Sequence, residues 1–93
     1  MSNIRRHFWV AGRVQGVFFR ESTRGWADDL GVSGWIRNLD DGRVEGVVEG
    51  EEDAVSALFA RLREGPRFAH VTALEIVEEE PTGEFVGKFE VIR

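Results

Sequence analysis

The chain has 93 residues, no cysteine and a net charge of −5, which limits it to one small core and excludes disulfides, thiolate catalysis and zinc–sulfur sites. Its apolar content is too ordinary for a disordered chain, and no segment nears the roughly 18 apolar residues of a membrane span. The acidic balance argues against a general nucleic-acid binder, whose affinity rests on phosphate neutralisation. The charge is unevenly spread. Residues 1–43 carry seven Lys/Arg against five Asp/Glu, a balance of +2, and residues 44–93 carry five against twelve, a balance of −7. The start, Met-Ser-Asn-Ile-Arg-Arg, has no apolar signal-peptide region behind it, so one cytoplasmic domain over residues 1–93 is expected.

In chain order, residues 6–11 read as a first strand, with Phe8 and Val10 on one face and His7, Trp9 and Ala11 on the other. His7 reads as a surface histidine rather than a ligand. A loop with two glycines follows. Residues 19–30 then place Phe19, Thr23, Trp26, Ala27 and Leu30 on one helical face, and Gly31 supplies the stop. Residues 32–38 read as a second strand, Asp41-Gly42 as a hairpin turn and residues 43–50 as a third strand. Val44, Gly46 and Val48 share one face of that strand, and Glu45, Val47 and Glu49 the other. The adjacent acids Asp40 and Asp41 point in different directions and read as a solvated turn, not a metal or acid–base pair.

Glu51-Glu52-Asp53 puts acids where a second helix would start, as the helix dipole favours. Val55, Leu58, Phe59 and Leu62 form its apolar stripe, and Gly65-Pro66 ends it. A long strand is predicted over residues 71–77, just after a surface His70. An acidic turn with Pro81 follows. A final strand over residues 85–92 has Phe85, Gly87, Phe89 and Val91 on one face. The order is that of a split βαβ pattern with an added final segment. It predicts an α+β two-layer sandwich, with one mostly antiparallel sheet and both helices on one face.

The chemistry concentrates in Gly12-Arg13-Val14-Gln15-Gly16-Val17-Phe18-Phe19-Arg20. The glycines allow a tight turn, and turn amides with the free N–H groups of a helix start form an anion site. Arg20 adds a planar, permanently charged fork that suits phosphate oxygens. A cation in the first turn opposes the helix dipole, and neither Phe18 nor Phe19 can cap the helix; a bound anion would repair both deficits. The same residues also fit an arginine in solvent with water serving the amides, and the two readings stay open on the residues alone. Asn38 stands at the end of the second strand. In a split βαβ fold that strand enters beside the first half-unit, and its far end can approach the first crossover loop. An amide there could orient water without protonating it. By itself, Asn38 reads first as a turn residue before Leu39-Asp40-Asp41-Gly42.

The loop resembles the acylphosphatase signature G-x-V-Q-G-V-x-F-R at every fixed position, and Gly34-Trp35-Ile36-Arg37-Asn38 is similar to that family's second signature, G-W-[VI]-[RK]-N. The separation of the motifs, the Leu30-Gly31 helix end, the Asp41-Gly42 hairpin and the closing Phe89-Glu90-Val91-Ile92-Arg93 agree with it. The resemblance covers essentially the whole chain. It implies a ferredoxin-like fold, βαββαβ plus a short final strand, and hydrolysis of acyl phosphates to a carboxylate and inorganic phosphate. It further implies that Arg20 and Asn38 are catalytic, and that Gln15, Gly16, Val17, Phe18, Phe19 and Arg20 bind the phosphate, with Asn38 placing the attacking water. No metal and no organic cofactor is implied, and the partner is a small acyl phosphate acted on by a monomer, with neither nucleic acid nor membrane involved.

Two other functions compete. A regulatory phosphate sensor would keep the fold and the anion loop without hydrolysis. An RNA-binding protein would use the sheet, with Trp9 and Trp35 as stacking residues, but the aromatic-basic RNA-recognition motif is absent and the net charge is wrong. The loop also lacks the Gly-Lys-Ser/Thr ending of a nucleotide P-loop.

Overall fold

The computed structural model describes residues 3–84 and 87–92. Within them the chain runs β1 (Asn3–Arg13), α1 (Phe19–Leu30), β2 (Ser33–Asn38), β3 (Val44–Glu51), α2 (Glu52–Glu64), β4 (His70–Glu79) and β5 (Phe89–Ile92). The five strands form one sheet in the order β4-β1-β3-β2-β5. Every neighbouring pair is antiparallel except β2 and β5. This is the ferredoxin-like arrangement, with β5 added beside β2.

Helix α1 covers β2 and β5, and α2 covers β1, β3 and β4, so one face of the sheet carries both helices. The core between the layers takes Phe8 and Val10 from β1, Ile36 from β2, and Val44 and Val48 from β3. They meet Phe19 and Ala27 of α1 and Val55, Leu58, Phe59 and Leu62 of α2. The Phe8 and Phe59 rings pack edge to face, 5.5 Å apart. Thr23 lies in this apolar layer because its hydroxyl donates to the Phe19 carbonyl at 2.8 Å, which removes the cost of burying it. Helix α1 has the predicted limits, because its apolar stripe and Gly31 agree.

β1 is longer than expected because it finds partners along its whole length, from Asn3 opposite Glu51 to Arg13 opposite His70. A bulge between Ala11 and Gly12 interrupts its pairing with β4. Gly12 sits there at φ 122°, and a Cβ on it would come 2.1 Å from the His70 carbonyl oxygen, so only glycine fits. The final strand is shorter than expected. Gly87, expected on one face of it, has φ 76° and lies in a turn instead; Phe85 lies outside the described residues.

The second sheet face is less solvated than alternation predicts. Val47 is only 1% exposed, and Glu45 and Glu49 are buried beside it. Their charges are matched. Arg37 Nε donates to Glu45 Oε1 at 2.8 Å, and His7 Nε2 lies 2.7 Å from Glu45 Oε2. The other His7 nitrogen, Nδ1, lies 3.0 Å from Glu79 Oε2, and its ring stacks on Trp9 at 4.2 Å. His7 is therefore a half-buried member of a hydrogen-bonded side-chain network rather than a free surface group. Glu49 accepts from the Thr82 and Gly83 amides at 3.1 and 2.6 Å and from Arg5 Nη1 at 3.3 Å.

Burial pushes the Glu49 carboxyl up, but these hydrogen bonds outweigh it and hold the group below the ordinary glutamate value of 4.5. A carboxyl depressed in the folded state stabilises the fold above its unfolded value, and the benefit fades as pH falls through the folded value. Thermal stability should therefore decline below about pH 4.5. Glu49→Gln should cost about 1–3 kcal/mol at neutral pH and flatten that decline. Melting curves of both proteins between pH 7 and 3 check this; an acid decline of equal steepness in the variant would remove Glu49 as a contributor.

Candidate active site

β1 hands the chain to α1 through residues 14–18. Val14 anchors the loop in the core at 1% exposure. Gly16 then turns left-handed at φ 74°, Val17 returns to negative φ, and Phe18 turns left-handed again at φ 60° and ψ 27°. Alternation of this kind turns successive N–H groups to one side, making a concave seat for an anion. The amides of Gly16, Val17 and Phe18 have no acceptor among the described residues. For a phenylalanine the left-handed conformation costs about 1–2 kcal/mol. The loop holds it without help from a cap, since Phe18 makes no side-chain capping bond.

The helix ladder opens with the Ser22 amide donating to the Phe18 carbonyl at 3.0 Å. The Phe19 and Arg20 amides lie ahead of that first bond, among the N–H groups a helix start leaves free. Arg20 follows at the second helical position. Its Nη1 donates to the Ile92 carbonyl of β5 at 3.1 Å, which fixes one side of the guanidinium against the sheet.

Asn38 reaches the same place by topology. β2 does not lie beside β1, because β3 separates them. Both run antiparallel to β3, however, so the C-terminal ends of β1 and β2 emerge at one edge. Gln15 closes the gap. Its Nε2 donates to the carbonyls of Leu39 at 2.8 Å and Arg43 at 2.9 Å, tying the loop to the β2–β3 hairpin. Asn38 itself makes no side-chain hydrogen bond to a described residue.

Val14, Gly16, Phe18, Phe19, Arg20, Glu21 and Asn38 line a cavity of about 460 Å³. Of the residues singled out in the sequence, Gly16, Phe18, Phe19, Arg20 and Asn38 are brought together here. Gln15 and Val17 are not in the lining, and the Gln15 side chain is occupied in the clamp. Sequence reasoning missed Glu21 and Val14 as lining residues. The adjacency of Glu21 to Arg20 in the first helical turn was the available signal. Glu21 is held 3.0 Å from Arg24, which offsets its charge next to an anion seat.

The hairpin acids take no part in the lining. Asp41 accepts from the Arg43 amide at 3.0 Å and from Arg43 Nε at 2.9 Å, a turn-locking role. No group of three or more His, Cys, Asp or Glu side chains arranged to hold a metal occurs among the described residues. The cavity thus offers a concentration of N–H donors, one guanidinium and one neutral amide. That combination suits a compact anion with a reacting centre that must meet water.

The acylphosphatase family model matches residues 6–91. An acylphosphatase of Rubrobacter xylanophilus is 58% identical over 87 residues, covering 94% of this chain and 78% of that protein. One of Roseiflexus is 51% identical over 87 residues, covering 94% of each chain. The crystal structure of the Bacillus subtilis acylphosphatase superposes with a TM-score of 0.92 at 33% identity, covering 97% of this chain and 99% of that one. The anion seat, the sheet that frames it and these likenesses along nearly the full length lead to one assignment: the chain belongs to the acylphosphatase family, enzymes that hydrolyse acyl phosphates to a carboxylate and inorganic phosphate.

Proposed function

We propose that the cavity at the start of α1 performs this hydrolysis by direct attack of water on phosphorus, with Arg20 and Asn38 as the catalytic residues and no metal. The observation that carries the reading is the meeting of Arg20, Asn38 and the unpaired loop amides around one cavity. The phosphoryl oxygens lie against the amides of Gly16, Val17, Phe18, Phe19 and Arg20 and against the free side of the Arg20 guanidinium. Gln15 serves the same loop through its clamp. Asn38 accepts a hydrogen bond from the attacking water and sets its line of approach. The new P–O bond forms as the bond from phosphorus to the acyl oxygen breaks. The electron pair leaves with the carboxylate, and the water's protons remain on the phosphate.

So sparse a site is sufficient. The leaving carboxylate has a conjugate acid of pKa about 4, so it departs without a general acid. Charge on the phosphoryl oxygens is what requires management, and fixed donors with an arginine provide it. Among the described residues no serine, cysteine or histidine lines the cavity, and the one carboxylate in that lining, Glu21, is engaged with Arg24. Water is therefore the nucleophile that the lining leaves available.

The same proposal has residues 1–93 act as one domain, as a cytoplasmic monomer that does not bind nucleic acid. In support, the net charge of −5 opposes binding to an RNA backbone. Among the described residues no helix is long and apolar enough to cross a membrane.

The test is release of inorganic phosphate from a simple aromatic acyl phosphate, with a chelator present. Rapid turnover is expected. Folded protein that binds inorganic phosphate yet leaves the substrate intact would favour a phosphate sensor instead.

A further inference from the structure

Phe18 shows three features that the chemistry at phosphorus does not use. Its side chain is 79% exposed. It borders the same cavity as Arg20 and Asn38. It is the only non-glycine residue among those described with positive φ, in a conformation that glycine adopts without strain. The other bulky apolar residues of the lining, Val14 and Phe19, are each 1% exposed and belong to the core. They can floor the cavity but offer almost no area to a ligand. A large ring held in water gains nothing from the fold's own burial. The backbone nevertheless remains strained beneath it, a pattern that marks ligand-contacting positions.

The missing counterpart is a ligand with one anionic end and one apolar end. An acyl phosphate seated by its phosphoryl group on the amides and Arg20 must point its acyl group away from them, toward the cavity mouth. We propose that Phe18 is the specificity-determining residue for the acyl half of the substrate. Its ring is the platform against which aromatic or extended apolar acyl groups lie, and acetyl-sized groups miss it. This inference rests on the acyl-phosphate reading above. It adds that the enzyme prefers substrates with an aromatic or long apolar carboxylate as the leaving group.

The test compares kcat and KM for benzoyl phosphate and acetyl phosphate in wild type, Phe18→Asn, Phe18→Gly and Phe18→Trp. Asparagine and glycine both accept the left-handed backbone, and two such variants guard against one failing to fold. The ratio of kcat/KM for benzoyl over acetyl phosphate is expected to fall about three- to tenfold in the Asn and Gly variants. The loss should lie mainly in KM for benzoyl phosphate, as for a contact made equally in ground and transition states. Phe18→Trp should retain the ratio. An unchanged ratio in the Asn and Gly variants, even with both rates lowered together, would overturn the proposal. Absence of wild-type turnover on either substrate would instead bring down the acyl-phosphate reading, and this inference with it.

Discussion

Arg20→Lys should lower kcat/KM for an aromatic acyl phosphate by about 10²- to 10³-fold, the usual effect of removing one charge-stabilising donor at a transition state. The charge is kept, so the loss reports geometry. The guanidinium has one edge committed to the Ile92 carbonyl at 3.1 Å, and its remaining N–H groups form the rigid fork that matches phosphoryl oxygens. A lysine ammonium is a single compact point at the end of a flexible stem. It can meet the carbonyl or the phosphate, but it cannot present two parallel donors to the latter. The companion variant Arg20→Ala should be as inactive, with little change in heat stability, because loss of the bond to the Ile92 carbonyl offsets relief of a cation that opposes the helix dipole. Steady-state kinetics and melting curves of both variants check this; near-normal turnover in the lysine variant would remove Arg20 from the phosphoryl site.

Asn38→Ala should separate chemistry from binding. Turnover is expected to fall by about 10²-fold while inhibition by inorganic phosphate changes little, because the amide is assigned to water and the loop amides with Arg20 to phosphate. The fold should tolerate the change. Asn38 is exposed, ends β2, and holds its place through its backbone pairing with Val44. The measurement pairs kcat with the phosphate inhibition constant. Weakened phosphate binding with turnover retained would move Asn38 from the water to the phosphate.

Much of this architecture could be read from local pattern. The apolar offsets from Phe19 to Leu30, with Gly31 after them, placed α1 correctly, and Val55, Leu58, Phe59 and Leu62 identified the buried stripe of α2. Local pattern fails where distant residues decide. The alternation in β3 marks Glu45, Val47 and Glu49 as an outer face; their burial depends on Arg5, His7 and Arg37, which come from other strands. The start of β5 was misjudged because pairing with β2 begins only at Gly34 and Phe89.

The site divides the same way. Its loop and arginine were legible because two glycines, a missing cap and a misplaced cation stand next to one another in sequence. Gln15's clamp to Leu39 and Arg43 was not, since it joins residues more than twenty positions apart. The left-handed Phe18 was equally hidden, because no rule of local propensity puts a phenylalanine there.

The strand order has a kinetic meaning. Phe8 pairs with Gly46 on one side and Ile76 on the other, so β1 is complete only after the chain has closed two long loops. Contacts so remote in sequence are gained against a large entropic cost, and topologies that depend on them fold slowly. The catalytic loop continues from β1, Asn38 comes from β2, and β3 must join the two before the cavity exists. Catalytic competence therefore arrives only once the remote pairing of β1 with β3 is made.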